Sequence, residues 1–276
     1  VEMRPKKYSD EEIKEDIKSF FQDPDHWVYK YGTPSECGPS SPYYKRQIEV
    51  LFEDKYFHWV THRIIEELVE EKFLKEVKVK LSTGSEAIFV VRSNVRYYKR
   101  GIKKMVRLIE WYSNPKINEA RGRWCEHLAE FMFCRLGFRI VDKNTKKLGN
   151  KVWDQTNHDL DFIVEKDGIY YGVEVKNILP YMEKEEFDIK LKICKYLDVI
   201  PLWILRNAPA TQFDQIKRVG GFILRFKSQI YPLGFEDKIE EIWKLMRIPV
   251  TIWERFPEKL EKLIINFHKR VLEERS

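Results

Sequence analysis

Residues 158–177 read His-Asp-Leu-Asp-Phe-Ile-Val-Glu-Lys-Asp-Gly-Ile-Tyr-Tyr-Gly-Val-Glu-Val-Lys-Asn. Apolar and β-branched residues fill both halves, and the Asp167-Gly168 pair between them accepts the positive φ of a tight hairpin turn, so the stretch predicts two antiparallel strands. Strand side chains alternate between faces, so Glu174 and Lys176 share one face while Val173 and Val175 take the other. Asp159 and Asp161 likewise share a face of the first arm, and a hairpin closed near residue 167 brings that face beside Glu174. Three carboxylates and an amine then crowd one patch. Like charges at that spacing repel unless a cation sits among them, and an all-oxygen set suits a hard divalent ion, one or two of Mg²⁺ or Mn²⁺.

Asp161 followed by Phe-Ile-Val, then a step of 13 residues to Glu174-Val175-Lys176, resembles the core of the PD-(D/E)XK nuclease superfamily, which includes restriction endonucleases and archaeal Holliday-junction resolvases. The family's proline-aspartate pair is represented by Leu160-Asp161. Glu-x-Lys is common in this chain, and Glu76-Val77-Lys78 repeats the tripeptide, but 13 residues before Glu76 stands Arg63 rather than an acid. The resemblance implies an α/β fold of restriction-endonuclease type, a mixed sheet flanked by helices. It also implies a Mg²⁺-dependent DNA endonuclease that hydrolyses phosphodiester bonds in restriction, repair or recombination. Asp161, Glu174 and Glu126 would hold the metal with the Val175 carbonyl, and Lys176 would act on the attacking water. Glu126 enters because such nucleases often supply one acid from a helix ahead of the first core strand, in a Gly-x-x-x-Glu context; Gly122, Glu126 and Gly137 match, with Glu130 as the competitor. Asp159 is the expected outer-shell partner, and Lys190 stands where relatives carry a Lys or Gln near the site.

Apolar residues make up 43% of the 276-residue chain, enough for filled cores and for two domains. Abundant Lys and Glu with few Gln and Asn is a balance associated with proteins that work at high temperature. Cysteines 37, 125, 134 and 194 lack zinc spacing and predict buried thiols in a reducing compartment, without the iron–sulfur clusters of some related exonucleases. No apolar run reaches the roughly 18 residues of a membrane span, and the charged opening residues hold no signal-peptide core, so a soluble cytoplasmic protein without membrane contact is expected.

The formal net charge is +6, and residues 93–121 alone carry eight basic residues against two acidic ones. A helix is predicted over 94–113. On it Arg96, Lys99, Arg100, Lys103, Lys104 and Arg107 fall on one face, and Tyr98, Ile102, Met105, Ile109 and Tyr112 on the other. A cationic face undiluted by Glu predicts a phosphate-binding stripe and DNA as the partner; an anionic membrane surface is the weaker alternative, since the apolar side is needed for packing.

Upstream, Ser9 with Glu12 forms a capping-box pattern ahead of Ile13, Ile17, Phe20 and Phe21, predicting a first helix over 9–22. Residues 23–43, rich in Pro and Gly, predict an irregular loop in which Trp27, Tyr29 and Tyr31 are buried. Helices over 43–54 and 58–72, then alternating arms at 77–81 and 87–91, resemble a winged helix-turn-helix domain. Its second helix would offer His58, Thr61, His62 and Arg63 to DNA, with Lys78 and Lys80 on the wing. Glu66, Glu67, Glu70 and Glu71 on the same helix would repel phosphate, which keeps a protein-contact role open.

Beyond residue 115, a helix over 121–136 with Trp124, Leu128, Phe131 and Phe133 in the core leads to a strand at 138–141. A polar loop at 142–157, a helix over 184–198, strands at 199–205 and 221–226, a short strand at 249–253 and helices over 236–246 and 257–274 complete the chain. The expected domains are thus 1–92 (winged-helix-like), 93–115 (basic linker helix), 116–235 (nuclease) and 236–276 (helical extension). Cutting both strands of a duplex would call for a homodimer. The alternative class is a winged-helix DNA-binding protein, or an adaptor docking a protein partner, with an inactive nuclease fold.

Overall fold

In a computed structural model of the chain, which describes residues 8–23, 38 and 40–275, the backbone divides into two units. One holds the residues up to Asn118 together with Phe235–Val250; the other holds Glu119–Gly234 and the residues from Thr251 onward. The expected domain limits shift accordingly. The basic helix belongs to the first unit rather than forming a linker, and the C-terminal extension is divided between the two. The loop expected at 23–43, with its three aromatics, and Cys37 fall largely or wholly outside the described residues.

In the first unit α1 (Asp10–Gln22) begins as its capping box requires: Ser9 Oγ accepts the Glu12 N–H at 3.2 Å and the Glu12 carboxylate accepts the Ser9 N–H at 2.8 Å. Ile13, Ile17, Phe20 and Phe21 are buried. β1 (Tyr43–Tyr44), α2 (Lys45–Leu51), α3 (His58–Glu70), β2 (Leu74–Lys80) and β3 (Glu86–Arg92) follow, and the strands form an antiparallel sheet in the order β1-β3-β2. A helix was expected from residue 43. Tyr43 and Tyr44 instead pair with Val90 and Phe89, and the Tyr43 ring lies 4.8 Å from Phe20 and 5.4 Å from Phe21. The basic helix, α4 (Lys99–Tyr112), starts five residues later than periodicity suggests. Tyr98 is its N-cap residue, with the Lys75 ammonium 4.6 Å above the ring, so Arg96 precedes the helix instead of riding on it.

In the second unit most of α5 (Pro115–Arg135) is followed by β4 (Arg139–Thr145), a small hairpin of β5 (Lys147–Leu148) and β6 (Lys151–Val152), β7 (Leu160–Lys166), β8 (Ile169–Val173), β9 (Val175–Lys176), α6 (Lys184–Leu197), β10 (Ile200–Leu205), α7 (Ala210–Arg218), β11 (Phe222–Arg225) and β12 (Gln229–Tyr231). The main sheet runs β11-β10-β8-β7-β4, with β9 beside β10. β4, β7 and β8 are antiparallel neighbours, while β8, β10 and β11 run parallel, β10 being reached from β9 through α6. This is a mixed α/β sheet with helices on both faces. Leu202 and Ile204 of β10 pack with Cys125, Leu128, Met132 and Phe133 of α5 and with Ile264 and Phe267 of α9 (Glu258–Arg275; α8 is Glu236–Met246, in the first unit). Trp203 and Leu205, alternating with them, pack with Phe187 of α6 and Ile216 of α7. Such two-sided burial is what the apolar run of β10 predicts. The approach of α6 is close: a Cβ on Gly172 would stand 2.8 Å from Cys194 Sγ and from Val199 Cγ2.

Two core assignments are corrected. Phe131 is 51% exposed, because α5 turns it away from the sheet that receives Leu128 and Met132, and Cys134 is exposed while Cys125 and Cys194 are buried. Among the described residues no helix is long and apolar enough to cross a membrane.

Candidate active site

Asp167 and Gly168 adopt φ of 51° and 76°, closing the β7–β8 hairpin with Phe162 opposite Val173 and Lys166 opposite Ile169. One further step along that register would set Asp161 opposite Glu174, but there the ladder ends. Glu174 and Lys176 give their carbonyls to Ile204 and Arg206 of the β10 side, at 2.7 and 2.8 Å. Val175, between them, faces the other way, and its N–H is accepted by Asp161 Oδ2 at 2.6 Å. By strand alternation the Val175 carbonyl also lies on the side away from β10. The break thus places Asp161, the Val175 backbone and Glu174 at one spot on the sheet.

Glu174 is fully buried. Lys190 Nζ, from α6, stands 2.7 Å from one carboxylate oxygen and Lys176 Nζ 3.2 Å from the other. Each oxygen of Glu174 is thus met by an ammonium group in a close ion pair. Lys176 also meets Glu186 of α6 at 2.7 Å, and Lys190 bonds the Asp159 carbonyl with the Asp159 carboxylate 3.8 Å away. Lys190 is therefore in direct contact with Glu174, closer to the centre than expected. Asp159 keeps its peripheral place. Glu186 was not anticipated; its signal was a position one helical turn before Lys190, on the face that α6 turns to the sheet. Glu126 lies half-buried on α5, in the electrostatic field of Asp161, Lys176 and Lys190. Glu130 is bound by Lys143, leaving Glu126 as the acid on the site side.

Burial dominates the electrostatics of these carboxylates. Burial pushes Glu174 up to about 7, with the Asp161 charge adding to it and the two lysines opposing. Burial likewise raises Asp161, partly offset by the Val175 N–H, and raises Glu126, where Asp161 adds to the effect. For Lys176 burial alone would lower the pKa, but the Glu174 charge and the bond to Glu186 win and hold it above its ordinary value.

Among the described residues no three His, Cys, Asp or Glu side chains converge as a ready-made metal position; the acids meet ammonium groups instead. The donor chemistry still fits a hard divalent ion. Glu174 has two buried oxygens held only by ammonium contacts, one oxygen of Asp161 is left over from its backbone bond, and both carboxyls lie beside the Val175 backbone.

The first unit places its expected DNA-reading residues differently. His58 and Thr61 are 5% and 0% exposed, because they pack on the inner face of α3; His58 meets Glu53 at 3.0 Å. His62 is paired with Glu49 and Glu66, and Arg63 with Asp10 and Glu67. Three of the four acids expected to repel phosphate are likewise taken up, Glu66 by Lys45 and Glu67 and Glu71 by Lys14, while Glu70 stays exposed. On the wing, Lys78 lies 3.5 Å from Glu76 and Lys80 is exposed. Around α4 the picture is the opposite: Arg96, Lys99, Arg100, Lys103 and Arg107 are exposed and form no ion pair among the described residues, and Lys104 is exposed beside them. Ile102, Met105, Leu108 and Ile109 fill the buried side.

Comparison with protein-family models, with curated proteins and with solved structures found no match.

Proposed function

We propose that this chain is a Mg²⁺- or Mn²⁺-dependent deoxyribonuclease of the PD-(D/E)XK kind. The observation that carries the reading is the fully buried Glu174, set against Asp161 and with an ammonium, Lys176 or Lys190, on each oxygen, where β7 stops pairing with β8. Solvated charged strand faces do not bury a carboxylate, and an electrostatic arrangement this costly is characteristic of sites that do chemistry.

Phosphodiester hydrolysis needs a nucleophile and relief of charge on the phosphate oxygens. Asp161, Glu174 and the Val175 carbonyl would hold the metal, with Glu126 as the further acid. When bound, a divalent ion lowers the pKa of a coordinated water and offsets phosphate charge. Lys176 stays protonated by virtue of Glu174 and Glu186, which suits it to orient the attacking water and to stabilise developing negative charge rather than to remove a proton. Lys190 balances Glu174 and, through the Asp159 carbonyl, fixes α6 to the start of β7.

For the first unit, the order α1-β1-α2-α3-β2-β3 with sheet order β1-β3-β2 supports a winged helix-turn-helix. Contact with DNA would run through the exposed cations of α4 rather than through α3. The committed charges of α3 favour a second reading for that helix alone, contact with a protein partner.

The test is a panel of linear, nicked, flapped and four-way DNA incubated with Mg²⁺ or Mn²⁺. Metal-dependent cleavage of at least one substrate, lost in Lys176→Ala while DNA binding persists, is the expected result. A folded protein that cuts none of them, or a Lys176→Ala variant with full activity, would overturn the reading.

A further inference from the structure

Arg121, on α5 one turn before Cys125, is 7% exposed and has no carboxylate partner among the described residues. Its side chain's one hydrogen bond among the described residues is long: Nη1 donates to the Tyr231 hydroxyl at 3.3 Å, with the guanidinium 5.6 Å from that ring's centre. Nε is buried with no hydrogen-bond partner among the described residues. An uncompensated buried guanidinium is among the costlier things a fold can contain. Arg206, the other arginine this deeply buried beside β9, shows the ordinary solution. It is fully buried, yet its nitrogens donate to the carbonyls of Ile178, Leu179 and Lys227 and tie those turns together. Nothing comparable satisfies Arg121.

Its surroundings are built to hold it still rather than to neutralise it. Asn177, the residue after Lys176, donates to the carbonyls of Ile230 at 2.6 Å and Arg121 at 3.3 Å and accepts the Ile230 N–H at 2.9 Å. Gln229 donates to the Asn177 carbonyl at 3.2 Å and accepts the Tyr231 hydroxyl proton at 3.0 Å. Each polar atom of that frame is spent on a neighbour. The frame also fixes the Arg121 backbone beside the candidate site, since Asn177, which donates to the Arg121 carbonyl, directly follows Lys176.

We infer that Arg121 anchors a subsite for a phosphate group, held by the planar fork of its guanidinium beside the Tyr231 hydroxyl. The phosphate is an internal phosphodiester or a terminal phosphomonoester of the nucleic acid being cut. That attribution rests on the nuclease reading; the anion site itself does not.

The experiment uses the full chain without divalent metal and follows thermal unfolding during titration with inorganic phosphate, at ionic strength held constant with sodium chloride. A saturable rise in the midpoint of a few degrees is expected for the wild type, and none for Arg121→Met, which keeps the bulk and removes the charge. Should Arg121→Met fail to fold, Arg121→Lys decides: it keeps the charge, loses the fork, and should need about tenfold more phosphate for the same rise. A wild-type rise no larger than chloride produces, or an equal rise in the variants, overturns the site. Binding of 5′-phosphorylated and 5′-hydroxyl oligonucleotides then separates the sources. Weakening by Arg121→Lys confined to the phosphorylated strand identifies a terminal monoester, equal weakening of both identifies an internal diester, and no weakening of either removes nucleic acid as the ligand. Metal-dependent cleavage without a phosphate effect would sink this inference alone. A phosphate effect without cleavage would sink the nuclease reading alone.

Discussion

Asp161 Oδ2 accepts the N–H of Val175 at 2.6 Å, so one acid of the site also holds the strand that carries the other. Two substitutions separate these duties. Asp161→Asn keeps an oxygen for the Val175 N–H and relieves repulsion with Glu174, so its stability should match the wild type or exceed it above pH 7. Asp161→Ala leaves the N–H without its acceptor and should cost about 1–3 kcal/mol. Both should lose at least ~100-fold in metal-dependent cleavage. Urea unfolding with a cleavage assay checks the pair; wild-type cleavage by the Asn variant would remove Asp161 from the site.

Metal binding should depend on pH because Glu174 is pushed up to about 7. Ligation requires the carboxylate, so between pH 6 and 8 Mg²⁺ or Mn²⁺ affinity should rise by about tenfold, with a proton released near neutrality. The apo protein should show the opposite trend in stability. The folded chain holds a proton on Glu174 that the unfolded chain gives up near an ordinary glutamate pKa. The stability from this group is therefore complete only below the ordinary glutamate range, falls as the pH rises from there, and is gone above about 7. Lys176 stays charged throughout that window and does not alter the slope. Calorimetry in buffers of different ionisation enthalpy counts the protons; metal affinity flat from pH 6 to 8 would contradict the assignment.

Lys176 and Glu186, 2.7 Å apart, make a further separable pair. Lys176→Ala should reduce kcat by roughly 10²- to 10⁴-fold with DNA affinity intact. Glu186→Gln keeps the shape of the partner but not its charge, so Lys176 should lose part of its raised pKa. The expected results are a roughly tenfold fall in kcat, an unchanged KM, and an alkaline limb of the pH–rate profile moved toward neutrality. A changed KM with an unshifted profile would instead mark Glu186 as a substrate contact.

Much of the second unit was legible because its signals are local. The Asp167-Gly168 turn sets the hairpin register, and the apolar run of β10 announces burial on both sides. What the sequence hid depends on contacts distant along the chain. β1 is two residues long, too short to show a period, and exists because Tyr43 packs on Phe20 and pairs with Val90. His58 and Thr61 looked like surface residues at the start of a recognition helix, but the face they occupy is the one that α3 turns inward with Ile64, Ile65 and Leu68. That Lys190 contacts Glu174 directly, and that Glu186 reaches Lys176, follows from how α6 lies on the sheet, at which the one-turn spacing of the two residues only hints.

That inward turn of α3 leaves α4 as the cationic surface of the first unit, and salt dependence distinguishes a surface that binds phosphate from one that is merely solvated. Each phosphate contact releases condensed counterions, so the slope of log affinity against log salt counts the contacts. Replacing Lys99, Arg100, Lys103 and Arg107 by Gln removes four exposed charges while Ile102, Met105, Leu108 and Ile109 still pack. DNA affinity should fall, and the slope should become shallower by roughly 3 to 4. Arg63→Gln, at a guanidinium already taken by Asp10 and Glu67, should leave both affinity and slope unchanged. Fluorescence anisotropy between low and moderate salt measures both quantities. Equal effects of the two sets would return DNA contact to α3, and no effect of either would leave the first unit as a protein-binding module.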